Sequence, residues 1–188
     1  MNKKITKILS IVVTISAFGS AQADVSRTAT SGIIACGGNQ LIRNGGSEFH
    51  QTNYVLRNFD SSNSISIKRI SVYNASGVLL MDYPETALPN FTNGVLSPQD
   101  NSLESFQTAQ LSTQEFFGNS GLNANDRPIQ VIFEWQSYEP VKPLSISSVR
   151  TVRDRIVTVD ALGNQVIKQG DERSRHQGQC TVLEQRRY

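Results

Sequence analysis

The stretch Pro128-Ile129-Gln130-Val131-Ile132-Phe133-Glu134-Trp135 decides the fold of this chain. Alternate side chains of a β-strand point to opposite faces, so Ile129, Val131, Phe133 and Trp135 would form one apolar face. A proline fits at the first residue of a strand, where its missing N–H costs least. Trp135 is the single tryptophan of the chain, and a buried aromatic ring contributes strongly to a core. The pattern predicts the central strand of an antiparallel sandwich.

Shorter apolar runs separated by turn residues surround this strand in the sequence. They predict strands at residues 31–36, 52–59, 64–74, 144–152 and 173–183. Many short strands with turn signals between them are typical of all-β sandwiches. We therefore predict an all-β fold, a single antiparallel β-sandwich of about seven to nine strands over residues 24–188.

The strand at residues 64–74 has an irregular apolar pattern. Ile65 and Ile67 share one parity, whereas Ile70 and Val72 have the other, so a regular strand would divide these four side chains between two faces. Either both faces of the strand are covered, or a bulge at Lys68-Arg69 restores the register. We favour the bulge.

Three other segments carry specific expectations. Residues 102–111 have mixed periodicity between helix and strand, and we assign them as a strand. Residues 139–143 contain two prolines and are interpreted as a stiff crossing between strands. Residues 160–164 predict a short hairpin loop, because Gly163 can adopt a positive φ.

The first residues have the pattern of a secretory signal peptide. Lys3, Lys4 and Lys7 precede an apolar run at residues 8–18, and a small-x-small cleavage motif follows at residues 21–23. The alternative is a membrane anchor, but the apolar run is shorter than the roughly 20 residues that a span requires. No later stretch is long enough either. The sequence predicts a signal peptide at 1–23, no membrane span and a periplasmic or secreted protein.

Cleavage would change the charge balance of the chain. The full sequence has 18 Lys+Arg and 16 Asp+Glu, a net charge of +2. The signal peptide contains three lysines and no acid, so 15 basic and 16 acidic residues would remain, a net charge of −1. A nucleic-acid partner is not supported by this balance.

The two cysteines of the sequence are Cys36 and Cys180. In an oxidising compartment a disulfide is their natural state, and it would tie the start of the exported chain to its end. The alternative is a pair of separate buried thiols. We favour the disulfide, because exported proteins seldom keep unpaired thiols.

Catalytic motifs are largely missing. The sequence has two histidines and contains no HExxH, no GxSxG, no Walker loop and no dinucleotide-binding fingerprint. No cofactor is implied. Serine or carboxylate groups can still meet in space, so a hydrolase built on loops, with residues 111–127 as the candidate segment, stays an alternative to a non-enzymatic protein.

A loop rich in oxygen donors contains candidate ligands for a metal site. Its potential ligands are Asn119, Asn123, Asn125 and Asp126. Calcium usually requires more carboxylate charge than one aspartate supplies, and the segment lacks the order of an EF-hand loop. We therefore interpret it as a turn cluster and predict no metal.

Charge is distributed unevenly along the chain. Residues 70–126 contain six acids and no Lys or Arg, whereas residues 150–188 contain eight basic residues against five acids. Patches of opposite sign can steer a partner or a second copy, unless they pair within the domain or stay solvated. The candidate binding residues on the basic side are Arg150, Arg153, Arg155, Arg173 and Arg175. Arg150, Arg153 and Arg155 do not share one parity, so a single strand face cannot present all three.

A distant resemblance covers about half of the predicted domain. It is carried by Asn58-Phe59, Ile65-Ser66-Ile67, Val72-Tyr73-Asn74 and Gly77, followed by a proline-bearing loop and by Asp126-Arg127-Pro128-Ile129-Gln130-Val131. These features resemble small bacterial β-sandwich domains of the sensory-rhodopsin-transducer type. They are also similar to uncharacterised exported domains with an apolar strand that ends in Glu-Trp.

The resemblance implies a sandwich fold and a role in binding a ligand or a partner, and it transfers no catalytic residue. The signal peptide and the cysteine pair depart from the cytoplasmic transducer pattern, so a signalling role does not follow from it. Our leading hypothesis is an exported, non-enzymatic protein that binds a small ligand or a protein partner. A structural subunit of an envelope assembly, able to self-associate through exposed strand edges, is the second hypothesis.

Overall fold

A computed structural model describes residues 28–118, 122 and 126–186 of the chain. The predicted signal peptide at residues 1–23 lies outside the described residues. So do three of the four candidate metal ligands, Asn119, Asn123 and Asn125. The described residues cover nearly all of the predicted sandwich domain.

Strands dominate the described part of the chain. In chain order they are β1 (Ala29–Gly37), β2 (Gln40–Arg43), β3 (Glu48–Arg57), β4 (Ile65–Tyr73), β5 (Leu79–Pro84), β6 (Ser102–Leu103), β7 (Thr108–Ser112), β8 (Gln130–Val141), β9 (Ser145–Val159), β10 (Gln165–Gly178) and β11 (Cys180–Arg186). A short helix, α1, spans Thr113–Phe117, and two 3₁₀ turns span Asn44–Gly46 and Glu85–Ala87. The predicted all-β class is confirmed.

The strands form two antiparallel sheets that pack face to face. Sheet 1 has the order β11-β1-β8-β4-β5, and β6 pairs with β4. Sheet 2 has the order β10-β9-β3-β2, and β7 pairs with the other half of β3. Buried side chains of both sheets form one core, as a β-sandwich requires.

Strand β8 lies at the centre of sheet 1, as the sequence predicts. Val131 and Phe133 are fully buried and Trp135 is 2% exposed, while the side chains between them are more accessible. Pro128 and Ile129 precede the strand instead of opening it. The strand continues to Val141, so the predicted crossing at residues 139–143 is mostly strand.

Strand β4 contains the bulge that its apolar pattern predicts. Ile67 pairs with Trp135 and Arg69 pairs with Glu134, so Lys68 is one extra residue opposite two consecutive positions of β8. The two isoleucines before the bulge and the Ile70 and Val72 positions after it are all fully buried. Because one residue is inserted, the apolar side chains before and after the bulge face the same core although their positions have opposite parity.

The core joins the two sheets through aromatic and aliphatic side chains. Tyr54 of β3 and Phe133 of β8 pack edge to face, with ring centroids 5.4 Å apart. The hydroxyl of Tyr54 donates a hydrogen bond to the carbonyl oxygen of Gly37 at 3.0 Å. Because Tyr54 and Leu56 point into the core, the odd-numbered residues of this part of β3 face outwards from sheet 2.

The structure has more strands than the seven to nine that we predicted. Residues 102–111 are divided by a turn in which Phe106 has φ +59° and the N–H of Gln107 bonds to the carbonyl of Glu104. This turn gives β6 and β7 in place of a single strand. The mixed periodicity of the segment reflects that division.

The single last strand that we predicted at residues 173–183 is wrong. β10 ends at Gly178 in sheet 2, and β11 begins at Cys180 in sheet 1, so the chain changes sheets at Gln179. A Cβ at Gly178 would lie 2.3 Å from Ser148 Oγ, so this glycine allows the close approach before the crossing.

The predicted disulfide is present. Cys36 of β1 and Cys180 of β11 lie directly opposite each other in the ladder and are bonded, 144 positions apart in sequence. The bond fixes β11 beside the first strand immediately after the change of sheets.

The hairpin of β9 and β10 projects beyond the sandwich. β3 pairs with β9 from Ser145 to Asp154. After Arg155, within the described part of the chain, the two strands of the hairpin pair only with each other. We call residues 156–168 the arm. Its tip is the predicted loop at residues 160–164, in which Gly163 has φ +85° and the Asp160 carboxylate accepts backbone hydrogen bonds. Ile156, Val157, Val159, Leu162 and Ile167 of the arm are exposed apolar residues.

Helices are few and short in the part of the chain that the structure describes. Within it, no helix has the length and apolar character needed to cross a membrane.

Gly32 in β1 gives a direct test of the packing against β8. A Cβ there would lie 2.7 Å from Trp135 Nε1 and 3.0 Å from the carbonyl oxygen of Glu184. We expect Gly32→Ala to lower the free energy of unfolding by about 1–3 kcal/mol, because one extra methyl overpacks this contact. Chemical denaturation measures the change.

Gly37→Ala is the matched control, since Gly37 lies at the end of the same strand and a Cβ added there would meet no atom within 4 Å. Its effect should stay within about 0.5 kcal/mol. Equal effects of the two variants would contradict the assigned packing.

Candidate functional site

The five candidate arginines are divided between the two faces of sheet 2. Arg153 and Arg175 line a groove on its outer face. Arg150 contacts His50, and Arg173 contacts Glu48; both contacts are on the opposite face, the one from which Tyr54 enters the core. The expectation that one strand face cannot present all the arginines of β9 agrees with this arrangement.

Arg155 has a structural partner. Its Nη1 donates to the carbonyl oxygen of Gly46 at 3.3 Å, and its backbone N–H donates to the carbonyl oxygen of Ser47 at 2.8 Å. These bonds join the base of the arm to the turn between β2 and β3. Arg155 therefore anchors the arm and does not line the groove.

The groove on the outer face of sheet 2 has a volume of about 320 Å³. Four neighbouring strands position its side chains, because outward-facing positions of adjacent strands lie side by side. The residues that shape it are Asn53 and Val55 of β3, Val149, Thr151 and Arg153 of β9, Gln110 of β7, Arg175 of β10 and Thr92 of the loop before β6. Polar groups thus surround a small apolar floor.

Glu172 links the two arginines of the groove. Its carboxylate accepts bonds from Arg175 at 2.9 and 3.1 Å and lies 3.5 Å from Arg153. The hydrogen bond from Arg175, with the charges of both arginines, holds the pKa of Glu172 below its ordinary value. Two guanidinium groups and one carboxylate leave one net positive charge on this wall, which is exposed enough for solvent to screen it.

The opposite wall is fixed by the loop before β6. The N–H of Thr92 donates to the carbonyl of Gln110 at 2.7 Å, and Asn93 accepts the N–H of Gln110 at 3.1 Å. Thr92 Oγ1 also donates to Glu115 at 2.8 Å, and Glu115 completes the capping box of α1 with Ser112. The loop therefore covers the free edge of β7 and holds Thr92 over the groove.

Sequence reasoning missed most of the groove. It did not single out Thr92, Asn53 or Gln110. The alternation of Asn53 and Val55 with the buried Tyr54 was a usable signal for an outward-facing row. No local pattern indicated that β7 would lie beside that row.

Arg150 lies on the core-facing side of sheet 2, opposite Thr52 of β3. Its Nη2 is 3.0 Å from His50 Nδ1, and His50 Nε2 is 3.4 Å from Glu48 Oε2. Because Arg150 can only donate, the neutral ring accepts at Nδ1 and carries its proton on Nε2, which faces Glu48. Among the described residues, Arg150 has no carboxylate within salt-bridge distance.

Burial and positive charge shape the titration of this pair. Burial lowers the pKa of Arg150, and the nearby charges of Arg43 and Arg127 lower it further. Burial also lowers the pKa of His50; Arg150 and Arg43 act in the same direction, and the hydrogen bond to Glu48 opposes them. His50 is therefore held neutral at neutral pH.

The predicted absence of a metal site rests on the sequence. Asp126 is the one member of the oxygen-donor loop that the structure describes. Across residues 28–118, 122 and 126–186, no group of three or more His, Cys, Asp and Glu side chains is arranged to hold a metal ion.

No protein-family model matches the sequence, and no curated protein matches it either. Functional inference therefore depends on the two arginine environments and on the arm.

The depressed pKa of His50 predicts a pH dependence of stability. The folded state disfavours the protonated ring, whereas the unfolded chain binds a proton below a pH of about 6.5. Stability is therefore complete above that pH and is lost as the pH falls towards the lower pKa of the folded state. We expect the melting temperature to drop as the pH falls below about 6.5, down to about pH 5.5, and to drop less steeply in His50→Gln.

The exposed His176 supplies the control, because His176→Gln changes the other histidine of the chain. It should leave the slope of melting temperature against pH as in the wild type. A His50→Gln slope equal to that of the wild type would show that His50 does not carry the effect.

Proposed function

We propose that this chain is an exported, non-enzymatic β-sandwich that binds a small ligand in the periplasm or outside the cell. The ligand is a small carboxylate with an apolar part, and it binds in the groove on the outer face of sheet 2. The observation that carries the proposal is the convergence of Arg153 and Arg175 beside the apolar floor of Val55 and Val149.

The groove combines the features of a small-molecule site. Ligand sites are concave, with apolar surface and a few polar groups that fix orientation. Guanidinium groups bind carboxylates through paired N–H donors, and the amides of Asn53 and Gln110 add further donors and acceptors. A volume of about 320 Å³ suits a compact ligand.

Export and a binding role are supported by separate features. The signal-peptide pattern and the Cys36–Cys180 disulfide are both compatible with an oxidising compartment. The sequence lacks the common motifs of nucleophilic and nucleotide-dependent catalysis, which supports a binding role over turnover.

The test is a thermal-shift screen of the oxidised protein with short aliphatic, aromatic and sugar carboxylates. A ligand that binds only the folded state stabilises it by mass action, by about 2.7 kcal/mol at a concentration of 100 times Kd. We expect at least one carboxylate to raise the melting temperature. The double variant Arg153→Gln/Arg175→Gln should lose most of that shift.

Arg186→Gln is the control for charge, because Arg186 is an exposed arginine of sheet 1 that also contacts a glutamate. It should keep the ligand response of the wild type. The proposal fails if no carboxylate shifts the melting temperature, or if the double variant responds as the wild type does.

A second candidate function, a structural subunit of an envelope assembly, is favoured by the arm. After Arg155 its strands pair only with each other among the residues that the structure describes, and five of its apolar side chains are exposed. Residues 156–168 contain one acid and one base, Asp160 and Lys168, so two arms do not repel each other. We propose a second copy of this chain as the occupant, since equal arms can pair about a two-fold axis through free strand edges.

Sedimentation velocity over a range of protein concentrations tests the assembly role. We expect the wild type to form dimers as concentration rises, and Val159→Lys/Leu162→Lys to stay monomeric, because charge would be buried between the arms. Val78→Lys is the control, since Val78 is 55% exposed in a turn away from the arm. A monomeric wild type at all concentrations would reject the assembly role and leave the groove proposal unaffected.

A further inference from the structure

Three arginines from three parts of the chain lie at the core-facing side of sheet 2. Arg43 is the last residue of β2, Arg150 lies in β9, and Arg127 belongs to the segment that leads into β8 of sheet 1. Arg43 and Arg150 pair with Glu48 and Thr52, which lie on the same face of β3, and the N–H of Gly38 bonds to the carbonyl of Ile129 at 2.8 Å, which holds the segment of Arg127 beside the start of β2. The charges of Arg43 and Arg127 both act on Arg150. We call these residues the inner arginine cluster. It occupies the face of sheet 2 opposite the groove.

The acids near this cluster already have other partners. Glu48 accepts a bond from Arg173 at 2.8 Å and lies beside His50. Asp154 forms an ion pair with Arg173. Among the described residues, none of the three cluster arginines has a carboxylate within salt-bridge distance, so the cluster keeps surplus positive charge.

Polar side-chain atoms at this end of the sandwich are buried without partners. The Nε atoms of Arg127 and Arg150 are shielded from solvent and have no hydrogen-bond acceptor among the described residues, as is also true of the Nε atoms of Arg153 and Arg155 outside the cluster. Both side-chain amide atoms of Asn39 are in the same condition, and Asn39 is 4% exposed. Buried polar groups are normally satisfied, so the three N–H donors in this group point to a missing acceptor.

The position of Asn39 connects it to the cluster. Its carbonyl oxygen accepts a bond from Thr113 Oγ1 at 3.0 Å, and the same hydroxyl accepts the backbone N–H of Thr52 at 3.2 Å. Thr52 is paired with Arg150 in the ladder between β3 and β9. Asn39 and Arg150 are therefore placed on either side of Thr52.

We propose that the inner arginine cluster, together with Asn39, binds a tetrahedral oxyanion of the phosphate type. Guanidinium groups provide charge and directed N–H donors for phosphate oxygens, and the Asn39 amide adds a neutral donor. Donors that approach from β2, from β9 and from the segment before β8 suit a tetrahedral anion better than a planar carboxylate. His50 acts as a positioning residue, because its hydrogen bond with Arg150, held by Glu48, orients that guanidinium.

The phosphate can be the free ion or the phosphomonoester end of a larger molecule. Both present the same three or four oxygens to the cluster, so the site itself does not distinguish them. Because the groove uses the other face of sheet 2, this inference does not depend on the carboxylate proposal.

The experiment titrates the oxidised full chain with sodium phosphate by isothermal titration calorimetry and by thermal shift. Sodium chloride at matched ionic strength controls for screening. We expect phosphate to raise the melting temperature beyond the chloride control and to give a saturable heat. Arg150→Gln should weaken phosphate binding at least tenfold while the variant stays folded, because it removes a charge that has no acidic partner.

Arg127→Gln is the second variant and should also weaken phosphate binding. Because Arg127 lies in the segment before β8, this variant guards against a folding defect specific to β9. Arg186→Gln, at an exposed arginine of sheet 1 outside both sites, is the matched control and should bind phosphate as the wild type does. A response equal to that of chloride, or unchanged binding in both Arg150→Gln and Arg127→Gln, would overturn the proposal.

Methyl phosphate separates the two sources of the anion. Equal affinity for methyl phosphate and inorganic phosphate assigns the site to a phosphomonoester end. Binding of inorganic phosphate alone assigns it to the free ion. Both results support the phosphate site. If the groove variants lose carboxylate binding, that loss does not change either conclusion.

Discussion

The packing of the apolar face of β8 is the contact on which the rest of the fold depends. β8 pairs with β1 on one side and β4 on the other, so it joins the two halves of sheet 1. Its Phe133 meets Tyr54 of sheet 2, and its Trp135 fits against the bare backbone at Gly32. Buried aromatic pairs of this kind contribute about 0.5–1.5 kcal/mol beyond the area that they bury. The inward direction of Tyr54 in turn sets which side chains of β3 face the groove.

Local patterns in the sequence predicted the parts of the fold that local chemistry controls. The alternation around Trp135 predicted a central strand, and the change of parity between Ile67 and Ile70 predicted the bulge, because burial requires all the apolar residues to share a face. The change of sheets at Gln179 was not predictable in this way. It depends on the contact between Gly178 and Ser148, which are distant in sequence and meet only in the folded chain.

The candidate site was predicted less completely, for a related reason. The sequence identified an excess of arginine after residue 150, and parity separated Arg150 from Arg153. It could not show that Glu172 would join Arg153 to Arg175. Nor could it show that Arg43 of β2 and Arg127 of the segment before β8 would approach Arg150. Such convergence is a property of strand order, and strand order is not encoded in the period of any single strand. Asn39, which lies between Gly38 and β2, was not singled out by any pattern in the sequence.

The disulfide has a topological consequence. Cys36 and Cys180 close a covalent ring that contains every strand from β2 to β10, including the arm and all the loops between them. A protease that cuts once within this ring leaves two fragments that are still joined by the disulfide. The exposed loops can therefore be nicked without separation of the first and last strands. In an environment rich in proteases, the chain can lose continuity while its two sheets stay linked.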